Sequence, residues 1–234
     1  MLQIQKLKSG YEDLEILHEI DFHADGGEII AIIGPNGAGK TTLLKSIFNL
    51  CKVKSGKILL GDKDITRLPT HDLIYEGVSY VPQGRLVFND LTVLENLEMG
   101  AYIIKDKEQI RRDIENIFEK FPFLRTKKND YAFTLSGGQQ QLLAIARALI
   151  QSPKVLLLDE PSLGLSPKAI KEVFSKIVEI NKEGVIVIIV EQNAKQAVNI
   201  ADRTYVLEDG NVALTGGKEI LKHKKIKEIY LGGR

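Results

Sequence analysis

Nine consecutive residues, GPNGAGKTT, place three glycines beside a lysine and two hydroxyls. Gly34, Gly37 and Gly39 have no Cβ, so backbone N–H groups at these positions can turn inward and approach an oxyanion closely. Pro35, Asn36 and Ala38 complete the turn, Lys40 offers a charge that can reach β- and γ-phosphates, and Thr41 and Thr42 open the next segment. The Thr41 hydroxyl can also ligate Mg²⁺. Gly34, four residues, then Gly39-Lys40-Thr41 is the phosphate-loop spacing. The competing reading is an ordinary glycine-rich strand-to-helix turn. By itself the pattern implies nucleotide binding and no particular reaction, since a kinase, GTPase, helicase or transport motor can carry it.

A second chemical group is Asp159-Glu160, which follows the apolar run Val155 to Leu158. A buried strand would deliver both carboxylates to its C-terminal end, where ligands bind in open α/β sheets. Asp159 suits Mg²⁺, held through water, and Glu160 suits activation or orientation of an attacking water. The alternative is a charged strand end capping the following turn. A third group is LSGGQ, with Ser136, Gly137, Gly138 and Gln139 opening the helical run QQQLLAIARALI. Ser136 can simply cap that helix, or the helix start can be a second anion site. One triphosphate already has its loop, so a second site calls for a head-to-tail dimer in which this motif closes over the γ-phosphate of the partner chain. Gln83 follows the short apolar run Val78 to Val81 and reads first as a surface loop residue, although a strand end is ligand territory. Tyr11 reads equally as a turn aromatic covering the core edge or as a ring that stacks on adenine.

The elements that must position these groups are legible as periodicity. Ile29 to Ile33 is a continuous apolar run before the loop and reads as a buried strand, with a helix over 42–50 after it. Leu2, Ile4 and Leu7 suggest a half-buried strand, and 16–22 a second, closed by a hairpin turn at Asp25-Gly26-Gly27. Strands follow at 56–60 and 78–81, with a short helix at 69–75. From 85 to 152 no strand pattern occurs; helices read over 93–101, 107–121 and 137–151, the second ended by Pro122. Gly184 starts another buried strand that runs to Glu191-Gln192-Asn193, and a hairpin turns at Asp209-Gly210. The tail is helical and basic around Lys222 to Lys227. The organisation is one domain over 1–234: a nucleotide-binding α/β core at 1–84 and 153–234, with a helical subdomain inserted at 85–152.

Bulk composition excludes several classes. The chain has 234 residues, long enough for one α/β domain with an insertion. Its 32 basic and 31 acidic residues leave a formal charge of +1, so no basic field favours nucleic acid. A single cysteine, Cys51, excludes an internal disulfide framework and reads as a packing residue. No apolar run approaches the ~20 residues that span a bilayer, and MLQIQKLKSG lacks the apolar core of a signal peptide. The expectation is a soluble, cytosolic chain that reaches a membrane only through a partner.

Phosphate loop, glutamine after a strand, LSGGQ, then VLLLDE: this set in this order, over nearly the whole chain, resembles the ATP-binding subunits of ABC transporters. The resemblance implies an α/β P-loop NTPase core with an antiparallel β subdomain and an inserted helical subdomain that contacts membrane subunits. It implies ATP and Mg²⁺ as ligands. Position by position, Tyr11 matches the adenine-stacking aromatic, Gly34 to Thr42 the Walker A loop and Gln83 the Q-loop glutamine, which joins Thr41 and Asp159 at the metal. Ser136 to Gln139 match the signature, Asp159 and Glu160 match Walker B, and Ser162 to Leu165 match the D-loop. Two departures stand out: the D-loop reads SLGL, with Leu165 where aspartate is usual, and Gln192 stands where a switch histidine is usual. Gln192 is accordingly expected to share the catalytic role with Glu160.

LSGGQQQLLAIARAL, DEPSLGLSP, VEQNA, ADRTYVLEDG and the terminal YLGG together resemble one branch, the second ATPase of branched-chain amino-acid transporters. Amide and urea importers share enough of these stretches to stay open, as does a soluble ABC ATPase of repair or translation, although such proteins usually carry two cassettes or long inserts. A regulatory module without hydrolysis is the third reading, and Glu160 counts against it. The resemblance implies a second, related ATPase subunit as heterodimer partner (a homodimer in isolation), two integral membrane permease subunits, and indirectly an extracytoplasmic solute-binding protein. It places the chain peripherally at the cytoplasmic side of the membrane.

Overall fold

Two sheets share the strands according to their hydrophobic period. The computed structural model describes residues 1–231. The alternating segments β1 (Leu2–Tyr11), β2 (Leu14–Ala24), β4 (Lys52–Leu60) and the short β5 (Lys63–Asp64) form an antiparallel sheet in the order β2-β1-β4-β5. One face of it buries Leu2, Ile4, Leu7, Ile20, Phe22 and Ile58, the period-2 alternation of a strand interrupted by an irregularity between Ile4 and Leu7 that returns Leu7 to the same face. The continuous apolar runs β3 (Ile29–Ile33), β7 (Val155–Asp159) and β8 (Ile186–Glu191) instead lie inside a second sheet, because strands covered on both faces need no polar side, and the shorter β6 (Val78–Val81) forms one edge of it. With β9 (Arg203–Glu208) and β10 (Asn211–Gly216) the order is β10-β9-β3-β8-β7-β6. Every pairing in it is parallel except β10 with β9, so the C-terminal ends of β3, β6, β7 and β8 share one edge.

Alternation within the parallel strands divides two cores. Ile30, Ile32, Val155, Leu157, Ile188 and Val190 face the antiparallel sheet together with α1 (Lys40–Ile47). Ala31, Ile33, Leu156, Leu158, Val187 and Ile189 face the other way, toward the helices that follow β6. Between β6 and β7 lie α3 (Val93–Gly100), α4 (Lys107–Lys120), α5 (Pro122–Thr126) and α6 (Gly137–Leu149); α2 (Thr70–Tyr75) precedes β6. Thr92 starts α3 with a reciprocal capping box to Glu95, and Asp106 caps α4. Then α7 (Pro167–Asn181), α8 (Ala194–Ile200) and α9 (Lys224–Leu231) complete the helices.

Several expectations need correction. The turn at Asp25-Gly26-Gly27 is real, but it is no hairpin: β2 and β3 belong to different sheets, so the chain changes layer there. The strand expected from 56 begins at Lys52, since antiparallel pairing with β1 holds the exposed polar stretch Lys52 to Ser55 in extended form. Pro122 does not merely end a helix. α4 stops at Lys120, and Pro122, with its fixed φ and no N–H, opens α5 at the first turn where the missing donor costs nothing. α7 is a helix beyond those expected above, with Ile170, Val173, Phe174, Ile177 and Ile180 at helical spacing and Ser166 capping it ahead of Pro167. α8 is a second such helix. Gly232 and Gly233 of the terminal YLGG lie outside the described residues.

Candidate nucleotide site

The loop from Gly34 to Gly39 joins the end of β3 to the start of α1. Gly37 and Gly39 have φ of 83° and 97°, a region L-residues enter at a cost. A Cβ on Gly34 would sit 2.3 Å from the Leu207 carbonyl oxygen, and one on Gly39 2.7 Å from Leu17 Cδ2, whereas one on Gly37 would meet nothing within 4 Å. Glycine is thus demanded on the protein side at Gly34 and Gly39, while the outer face at Gly37 is open. The N-cap Gly39 supplies no side-chain cap to α1, so the first N–H groups of that helix face the loop unclaimed by a capping side chain, the setting an anion uses.

Lys40 curls back over this loop. Its Nζ donates to the Gly34 and Pro35 carbonyl oxygens, both at 2.9 Å. Burial pushes its pKa down, opposed by the charges of Glu160, Asp159 and Glu191. The amine is therefore held by carbonyls, with carboxylates near but not paired to it, and a phosphate in the loop would complete its charge balance.

Two strands, β7 and β8, bring the acidic groups to the same edge, and β6 brings Tyr80 and Gln83 beside them. Asp159 is buried at the end of β7; its Oδ1 accepts from the Thr41 hydroxyl at 3.0 Å and its Oδ2 from the Tyr80 hydroxyl at 3.0 Å. Desolvation raises its pKa against those two hydrogen bonds. Tyr80 is itself held neutral, its pKa raised by burial and then by Asp159. Glu160 follows at φ 47°, its N–H donating to the Val190 carbonyl at 2.9 Å, and its Oε2 accepts from Gln83 Nε2 at 3.2 Å. Gln83 is thereby brought from the β6 end onto the carboxylate that the sequence paired with water activation.

The oxygen pair Thr41 and Asp159 would hold a hard cation. Among the described residues no group of three or more His, Cys, Asp or Glu forms a metal cage. Beyond Thr41, Asp159 and the nearby Gln83, a cation here would take its remaining ligands from water and phosphate, which is the habit of Mg²⁺.

At the end of β8, Glu191 is buried and its Oε1 accepts from the Ser162 N–H at 2.9 Å. Burial raises its pKa. This bond ties the turn after Glu160 to β8, and Gln192 follows immediately, exposed to solvent. Tyr11 ends β1, exposed, with Lys45 Nζ 5.7 Å from its ring centroid.

The LSGGQ stretch starts α6 through a reciprocal capping box: Ser136 Oγ accepts from the Gln139 N–H at 3.4 Å, and Gln139 Oε1 accepts from the Ser136 N–H at 3.1 Å. A Cβ on Gly138 would lie 2.6 Å from Ala169 Cβ of α7, and one on Gly137 2.3 Å from Arg85 Nη1. The glycines therefore admit close neighbours from within the chain at a helix start that Ser136 and Gln139 cap. Sequence reasoning misses Arg85 and Tyr80, and it names Glu191 only as the strand-end neighbour of Gln192. Arg85 carried no motif. Tyr80 and Glu191 show only as polar tips on apolar strands, a signal that becomes meaningful once strand register is known.

The chain matches the ABC transporter family model over residues 17–163. It is 42% identical over 234 residues, 100% of both chains, to the high-affinity branched-chain amino acid transport ATP-binding protein BraG of Pseudomonas aeruginosa. It is equally 42% identical, over 99% of both chains, to a probable branched-chain amino acid transport ATP-binding protein of Archaeoglobus fulgidus. A lipopolysaccharide export system ATP-binding protein of Haemophilus influenzae is 32% identical over 99% of this chain and 97% of its own. Among solved structures, the ADP conformation of an ATP-binding cassette of an ABC transporter superposes with a TM-score of 0.90 at 28% identity, covering 99% of this chain and 98% of that one. A dimeric cassette in a post-hydrolysis state bound to ADP and Pi gives 0.81 at 26% identity, covering 93% and 99%.

Proposed function

The chain belongs to the ABC transporter family, and from that premise we propose that it is the ATP-hydrolysing subunit of an importer of branched-chain amino acids. Its fold is that of the ABC ATPase cassettes, and ATP hydrolysis is the family's reaction. The observation that carries the reading is the convergence of Lys40, Thr41, Asp159, Glu160 and Gln83 on one sheet edge, in a chain that aligns end to end with two branched-chain amino-acid transport ATPases.

The residues divide the work as follows. Loop N–H groups from Gly34 to Thr42 and the Lys40 amine hold the triphosphate, and Tyr11 stacks on the adenine. Thr41, Asp159 and, from the β6 end, Gln83 hold Mg²⁺, which when bound neutralises charge on the β- and γ-phosphates. Glu160 orients a water and accepts its proton, and the Gln83 amide holds that carboxylate in place. Ser136 to Gln139 close over the γ-phosphate carried by the partner chain. The working assembly pairs this chain with a second, related ATPase subunit on two membrane permeases, fed by an extracytoplasmic solute-binding protein. The helical subdomain at 85–152 faces the permeases. No helix among the described residues is long and apolar enough to cross a membrane, so attachment at the cytoplasmic side rests on those subunits.

The test is uptake into proteoliposomes carrying the full assembly. ATP-dependent accumulation of leucine, isoleucine and valine supports the proposal. Accumulation of urea or short amides instead moves the chain to a neighbouring importer, and an assembly that releases no phosphate removes the ATPase reading.

Gln192 occupies the place of a switch histidine. Its amide can donate to and accept from groups around the γ-phosphate, but it cannot titrate. Gln192→Ala is expected to lower turnover more than ATP affinity. Gln192→His is expected to keep substantial activity and to acquire a pH dependence between about pH 6 and 7, where imidazole changes charge. The measurement is kcat against pH in the assembled transporter, and unchanged turnover in Gln192→Ala would move the role to Glu191 or Asn193.

A further inference from the structure

We propose that Tyr80 is a positioning residue that fixes the carboxylate of Asp159 for the cation, an inference that rests on the ATPase reading above. The placement follows from register. β6 and β7 pair in parallel with Tyr80 opposite Leu157, so Tyr80 and Asp159, two residues beyond Leu157, project from the same face of the sheet. That face carries α1, and Tyr80 packs there against Phe48, with ring centroids 5.6 Å apart and planes tilted by 42°.

Each oxygen of Asp159 has its own hydroxyl donor. Tyr80 donates to Oδ2 and Thr41 to Oδ1, both at 3.0 Å. The two donors come from different elements, β6 and α1. Together they fix the rotation of a side chain that an apolar pocket alone would leave free to turn. Tyr80 claims the oxygen remote from Thr41, which leaves Oδ1 turned to the hydroxyl that would share the cation. Partners that hydrogen-bond a metal-holding side chain typically govern affinity by ten- to a hundredfold.

A tyrosine that only fills space between α1 and β6 would be replaced by phenylalanine without consequence. Tyr80→Phe removes one hydroxyl and keeps the ring against Phe48, so it separates the two roles. The experiment uses the full chain with ATP in excess and follows Mn²⁺ binding by electron paramagnetic resonance, alongside ATP affinity in chelator and the melting temperature. Tyr80→Phe is expected to weaken Mn²⁺ binding to the ATP complex by about tenfold. ATP affinity without metal should stay within about twofold and the melting temperature within a few degrees. In an Asp159→Asn background the same change should add nothing, since Tyr80 acts through that carboxylate. Unchanged Mn²⁺ affinity, an additive effect in the double variant, or a collapsed melting temperature would overturn the proposal. Failure of the wild-type chain to bind Mn²⁺ with ATP would instead overturn the ATPase reading.

Discussion

Glu160→Gln should lower ATP turnover by about 10²–10⁴-fold, the range typical of losing a positioned general base, while leaving ATP affinity within a few-fold. The change is nearly isosteric and removes the charge that accepts a proton from water. It keeps an oxygen that the Gln83 amide can still bond, since the present contact is Gln83 Nε2 to Glu160 Oε2 at 3.2 Å. The backbone that holds the residue at φ 47° is untouched, with its N–H on the Val190 carbonyl. Phosphate release and ATP binding, measured side by side on the assembled transporter, check it. A variant that turns over at the wild-type rate would take the base role away from Glu160.

Lys40→Ala should raise the dissociation constant for ATP by roughly ten- to a hundredfold. A hydrogen bond to a charged group is typically worth ~1.5–3 kcal/mol, and each 1.4 kcal/mol is about a factor of ten. The loop itself also changes, because Gly34 and Pro35 lose the donor that now bridges their carbonyls at 2.9 Å. Equilibrium binding of ATP to both forms gives the ratio directly. Because Lys40 reaches the β- and γ-phosphates, AMP affinity should change far less, and an equal loss for AMP and ATP would point to loop collapse instead.

The loop, the strand that delivers it and the two carboxylates were legible because each has a local signature: glycine spacing, a continuous apolar run, and charge at its end. The central strands were readable for the same reason, since burial on both faces writes itself as Ile29 to Ile33 or Ile186 to Val190. What local pattern could not give was which strands become neighbours. Asp25-Gly26-Gly27 reads as a hairpin because turn chemistry is the same whether the chain returns along the same sheet or steps into another. Tyr80 acquires meaning only from the pairing of β6 with β7, and Glu191 only from the approach of Ser162. α7 carries as clear a local signature as α4, in its apolar spacing and its Ser166-Pro167 start.

The proposed closure of one nucleotide site by two chains is tested most directly by the oligomeric state of Glu160→Gln. Light scattering on a sizing column, with and without Mg·ATP, should show a monomer that becomes a dimer with ATP, holds two nucleotides, and reverts with ADP. The same should hold for the variant mixed with its related partner subunit. A Glu160→Gln chain that binds ATP yet stays monomeric, both alone and in the mixed assembly, would contradict the closure of Ser136 to Gln139 over a partner's phosphate.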